Sequence, residues 1–109
     1  MIAINKILMT PHNLEIIEKN REMGLIKAVS LLDSKIEAGD FNQSEKRLIM
    51  RIRFLCIIER SRKIRVKWKE MSKLLKVKEK DLLEIIYRFD SLEIIEVDYY
   101  RKIIELPIR

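Results

Sequence analysis

At 109 residues, with 48% hydrophobic and 37% charged side chains, the chain is sized for one compact domain and is too short for the two cores of a large two-domain enzyme. Lys and Arg number 23 against 17 Asp and Glu, a net charge of +6 that permits contact with phosphates without demanding it. A single cysteine, Cys56, and a single histidine, His12, exclude an internal disulfide scaffold and a Cys/His zinc finger.

Residues 1–10 carry some apolar side chains but no basic leader, long apolar core or small-residue cleavage site, so no signal peptide is expected. No apolar run approaches the roughly 20 residues of a spanning helix, which makes an intracellular, cytoplasmic protein the expectation. Few Gly, Pro and Gln residues beside abundant Ile, Lys, Arg and Glu give the balance that thermophile chains tend to have.

Thr10 and Pro11 predict a helix start, one as a cap oxygen and the other as a preset φ, with the helix running to about Lys35 or Glu37. Leu14, Ile17, Leu25, Ala28, Leu32 and Ile36 fall on one of its stripes, while Ile16, Met23, Ile26 and Leu31 fall elsewhere. From Met23 to Leu32 the helix is apolar nearly all round, so partners are expected on more than one side, as for a central helix or one shared between subunits.

Gly39-Asp40 ends that helix, and a capping box on Asp40 or Asn42, with Gln43 or Glu45 at the third helical position, opens the next one to about Ser61. Leu48, Ile52, Leu55 and Cys56 form one stripe, and Met50, Phe54 and Ile57 form another on the opposite side. Two apolar faces imply two packing partners. Residues 64–68 alternate apolar and basic, the pattern of a short strand with one buried face. A short helix from about Glu70 to Leu75 then buries Met71, Leu74 and Leu75, with Trp68 read as core. Beyond the Lys76-Val77-Lys78 connection, a helix to Ser91 carries Leu82, Ile85, Ile86 and Phe89 on one face. The runs Ile94–Val97 and Ile103–Leu106 read as a β-hairpin whose tip holds two tyrosines and two cations.

This order of helix, short strand, helix, turn, helix and hairpin resembles the winged helix-turn-helix family. The stretch Met71–Val97 is also similar locally, with Ser72, Leu75, Val77, Leu82, Ile86, Phe89, Leu92, Ile94 and Ile95 in the family's small, apolar and β-branched places. The resemblance covers about residues 42–108. It implies a mainly α fold with a small β-hairpin (α+β): a winged helix-turn-helix domain over residues 40–109, preceded by a long helix in residues 1–39 for dimerisation or docking. Winged helices serve as DNA readers and as protein-docking modules. Two departures stand out. Glu93 occupies a place where the family often has glycine, so another helix exit is expected there. The would-be recognition helix carries Glu79, Asp81, Glu84 and Asp90 against Lys80 and Arg88, a face poorly suited to deep insertion into the major groove.

The basic excess is one block. Between positions 60 and 80, ten cations (Arg60, Arg62, Lys63, Arg65, Lys67, Lys69, Lys73, Lys76, Lys78 and Lys80) stand against Glu70 and Glu79, and the remainder is slightly acidic. Either the block is a nucleic-acid surface, or it is solvated surface or a patch for an acidic partner. On the first reading Arg60 to Lys69 grip phosphates, Lys76, Lys78, Lys80, Tyr87 and Arg88 approach the groove, and Arg101 and Lys102 make a wing contact. Period two sends one of Tyr99 and Tyr100 inward and leaves the other to meet a sugar or base.

His12 has no nucleophile beside it, the carboxylates lack metal-ligand spacing and no glycine-rich phosphate loop exists, so neither catalysis, a metal nor a cofactor is expected. The resulting expectation is a winged-helix protein that binds double-stranded DNA, a homodimeric transcriptional regulator joined through Leu14, Ile17, Leu25, Ala28, Leu32, Met50, Phe54 and Ile57. The alternative is a non-catalytic subunit of a larger replication, transcription or repair assembly, which the acidic helix favours.

Overall fold

Four helices and three short strands follow one another: α1 (Pro11–Ala38), α2 (Gln43–Glu59), β1 (Lys63–Arg65), α3 (Trp68–Leu75), α4 (Glu79–Ser91), β2 (Glu96–Asp98) and β3 (Ile103–Glu105). The structure, a computed structural model, describes the backbone of residues 11–109 and the side chains of residues 19–109. Thr10 and the side chains of His12, Leu14 and Ile17 therefore lie outside the described residues. The molecule is mainly α with a small three-stranded antiparallel sheet, and its element order is the expected one.

Of the two capping boxes the sequence allowed, the Asn42 one forms. Asn42 Oδ1 accepts from the Glu45 amide at 2.9 Å, and Glu45 Oε1 accepts from the Asn42 amide at 3.0 Å. Gly39 is needed just upstream, because a Cβ there would collide with the buried Phe41 ring, which packs edge-on against Phe89 at 5.5 Å. The α2 helix stops two residues before Ser61. Arg60 turns left-handed at φ 52°, and the Ser61 amide reaches back to the Cys56 carbonyl at 3.0 Å.

The strand expected over 64–68 is shorter, and Trp68 instead opens α3. Ile64, Val66 and Trp68 are all buried, so the alternation runs unbroken across the junction and period alone cannot locate the change. Leu74, expected in the core, is 50% exposed. After α4 the chain keeps the left-handed position and fills it with Glu93 at φ 60°, while the Ile94 amide returns to the Phe89 carbonyl at 3.0 Å. The expected alternative exit is not used.

The sheet order is β1-β3-β2, so β1 joins the hairpin as a third strand. Ile64, Ile104 and Val97 sit side by side on the inner face, and Lys63, Glu105 and Glu96 on the outer. The core gathers Leu48, Ile49, Ile52 and Cys56 of α2, Met71 and Leu75 of α3, Leu82, Ile86 and Phe89 of α4, and Ile95, Ile104 and Leu106. Leu25, Ala28 and Leu32 of α1 belong to the same core. This corrects their assignment to an oligomer interface: they are used up inside one chain. Arg53 clamps α1 to α2 through both carboxylate oxygens of Asp33, at 2.9 and 3.1 Å.

Candidate nucleic-acid interface

On α3, Trp68, Met71, Ser72 and Leu75 face the core, which turns Lys69 and Lys73, four residues apart, outward together. The helix closes on Lys76 in the left-handed conformation, and half-buried Val77 pins the turn so that Lys76 and Lys78 stand exposed on either side of it. Lys78 is the N-cap of α4 and Lys67 that of α3, and neither gives its helix a side-chain cap. The uncapped amides at these two helix starts are backbone donors from which phosphate can accept, although Glu70 at α3 and Glu79 and Asp81 at α4 offset the dipoles.

The ten cations of the block do not behave alike. Arg62 is a brace: it is half-buried, and its Nη1 donates to the Leu106 carbonyl at 3.0 Å and lies 3.4 Å from Glu105 Oε2. It is therefore removed from the phosphate-gripping set. Lys63 lies 4.0 Å from Glu105, and Lys67 3.7 Å from Glu70. These exposed pairs are worth well under about 1 kcal/mol, so both lysines still reach an anion. Among the described residues, Arg60, Arg65, Lys69, Lys73, Lys76, Lys78 and Lys80 are exposed and have no ion pair.

The expected groove contact Arg88 is likewise corrected. Its guanidinium pairs with the buried carboxylate of Glu45, lies 5.3 Å above the centre of the Phe41 ring and reaches the Asp40 carbonyl at 3.5 Å. Arg88 thus ties α4 to the start of α2. Besides Arg88, α4 presents outward Glu79, Lys80, Asp81, Glu84, Ser91 and Tyr87, which is 67% exposed: one cation against three carboxylates.

At the turn between β2 and β3, Asp98 Oδ1 accepts from the Arg101 amide at 3.0 Å and its other oxygen lies 3.9 Å from Arg101 Nε. The carbonyl of Lys102, left-handed at φ 58°, accepts from the Val66 amide at 2.8 Å, which ties the hairpin to the residue after β1. Tyr99 donates its hydroxyl to Asp90 at 3.3 Å; burial, then the Asp90 charge, push its phenol up to about 12. Tyr100 is 94% exposed and is the free aromatic of the pair.

The second apolar face expected on α2 is exposed, but what surrounds it was not anticipated. Met50, Phe54 and Ile57 are exposed as expected, but Leu74 of α3 joins them, and Lys46, Arg47 and Arg51, outside the basic block, stand around them. The i, i+4 spacing of Arg47 and Arg51 beside the apolar stripe was the available signal. Among the described residues no group of His, Cys, Asp and Glu could hold a metal ion, and no helix is long and apolar enough to cross a membrane. Cys56 is fully buried, with its thiol pushed up to about 12 by burial and, secondarily, by Glu59. No protein-family model, curated protein or solved structure matches this chain.

Proposed function

We propose that this chain is a non-catalytic, winged-helix double-stranded DNA-binding protein that holds the phosphate backbone and reads little sequence, in the manner of a transcriptional regulator or architectural factor. The observation that carries this reading is the run of exposed, unpaired cations from the end of β1 along α3 to the start of α4: Arg65, Lys69, Lys73, Lys76, Lys78 and Lys80. Neutralising phosphates releases counterions and supplies affinity without base contacts. The acidic outer face of α4, where Glu79, Asp81 and Glu84 stand against Lys80 and Arg88 is drawn to Glu45, argues against extensive base readout. Lys102 and Tyr100 extend the surface to the wing.

The test is a fluorescence anisotropy titration of the chain against random-sequence duplex DNA at a series of salt concentrations, with the protein's mass determined by sedimentation. Affinity should fall steeply with salt and depend little on sequence. In the Lys73→Glu/Lys76→Glu variant the slope should become shallower by about 1 for each phosphate that is no longer neutralised. Absence of binding at low salt would overturn the reading.

A second reading, a protein-docking subunit, is favoured by one observation: the exposed stripe Met50, Phe54 and Ile57. With Leu25, Ala28 and Leu32 spent in the core, the large apolar side chains left exposed among the described residues of the two long helices are this stripe, Ile58, and Met23 and Ile26 of α1.

A further inference from the structure

Exposed apolar side chains on α2 recur at the spacing of one helix face, Met50, Phe54 and Ile57, with Leu74 beside them from α3. Met50 is 54% and Phe54 47% exposed, although α2 buries its opposite side completely at Leu48, Ile52 and Cys56. The stripe spans about two helical turns, roughly 10 Å, the footprint of three anchors on an apposed helix. The charges around this shallow groove have one sign. Lys46, Arg47 and Arg51 line it without a carboxylate, and next to it Arg65 and Lys67 face only Glu70. Arg51 is unusual among them: its guanidinium lies 5.3 Å from the centre of the Phe54 ring, and its Nε is buried with no acceptor. A buried donor without a partner is unfavourable, and an incoming carboxylate would relieve that cost.

We propose that the α2–α3 groove docks an acidic amphipathic helix of another protein, whose apolar residues at i, i+4 and i+7 cover Met50, Phe54 and Leu74 and whose flanking carboxylates meet Arg51 and Arg47. Phosphate is the wrong occupant, because it would leave three large apolar side chains in water. A second copy of the chain is the weaker fit, because the face it would bring supplies more cations and no carboxylate from the groove lining. The groove's anchors lie on α2 and at Leu74, and Arg65 borders both the groove and the cation run, so peptide binding and DNA binding are read in separate assays and either can fail without the other.

The experiment uses the full chain and a fluorescein-labelled synthetic peptide of about 14 residues with leucines at i, i+4 and i+7 and glutamates flanking them. Two controls replace the glutamates by lysines or the leucines by serines. The acidic amphipathic peptide should bind, both controls should bind at least about tenfold more weakly, and Arg51→Glu and Phe54→Glu should each cause a similar loss. Both variants alter exposed or half-exposed positions, and their thermal melts establish that they fold. Each should retain DNA affinity within a few-fold, whereas Lys73→Glu/Lys76→Glu should weaken DNA binding and keep the peptide. Equal binding of the acidic and lysine peptides would overturn the proposal. So would a stable dimer that Phe54→Glu converts to monomer and that the peptide does not compete with.

Discussion

Arg88 changes meaning between the linear chain and the fold. As one of two cations on an acidic helix it reads as a groove contact. In the structure its partner, Glu45, is buried and already holds the α2 capping box, so the pair joins two helices and seals the Asp40–Phe41 corner. Arg88→Ala should lower stability by about 2 kcal/mol, below the loss typical of a fully buried pair because half of the arginine is exposed. Urea unfolding measures this, and affinity for duplex DNA should stay unchanged when the variant is assayed below its melting point. Asn42→Ala, which removes the other half of the capping box, should cost about 1 kcal/mol. Cys56 and Tyr99 set an alkaline limit. Each is held protonated in the fold, at about 12, against ordinary values of 9.0 and 10.0. Above pH 9 the unfolded chain therefore loses protons first, and stability should decline progressively towards pH 12. Cys56→Ala should flatten the early part of that decline, read as urea midpoints at stepped pH in the presence of reductant.

At the scale of elements, helix type and position were legible because apolar spacing and capping chemistry act locally. The Asn42 box, the α4 stripe and the hairpin are examples. Boundaries were less so. Strand alternation masked the start of α3 because Trp68 is buried like Ile64 and Val66 before it. Left-handed residues were invisible in a chain with two glycines, since Arg60, Lys76, Glu93 and Lys102 all take positive φ without one. Such residues carry a conformational cost, so Glu93→Gly should stabilise the fold by about 0.5–1 kcal/mol, net of the extra freedom glycine gives the unfolded chain. Gly24 is the converse: it lies inside α1 with open space for at least 4 Å around the point an alanine Cβ would occupy, and Gly24→Ala should raise stability by about 1 kcal/mol. Thermal melting of the two variants and their combination checks both, and the increments should add because the sites lie on different elements.

Across the whole molecule, the basic block divides by neighbourhood. Where the sheet places Glu105 beside β1, Arg62 becomes a brace and Lys63 is partly neutralised; Lys69, Lys73, Lys76 and Lys78 on α3 and the turn have no ion pair and remain available. Lys73→Gln should therefore weaken DNA binding and lessen its salt dependence more than Lys63→Gln does, in the same anisotropy titration. Composition, apolar periodicity and capping residues determined by themselves a small α-rich domain with a hairpin, its buried stripes and the place of its charge, because each of these is fixed by neighbours a few residues away. Only the tertiary structure decided which of those charges are free and which apolar faces are spent. Arg88 meets Glu45 from 43 positions away, Arg62 meets Leu106 from 44, and the α1 stripe closes on a core assembled from the rest of the chain, pairings that no local pattern encodes.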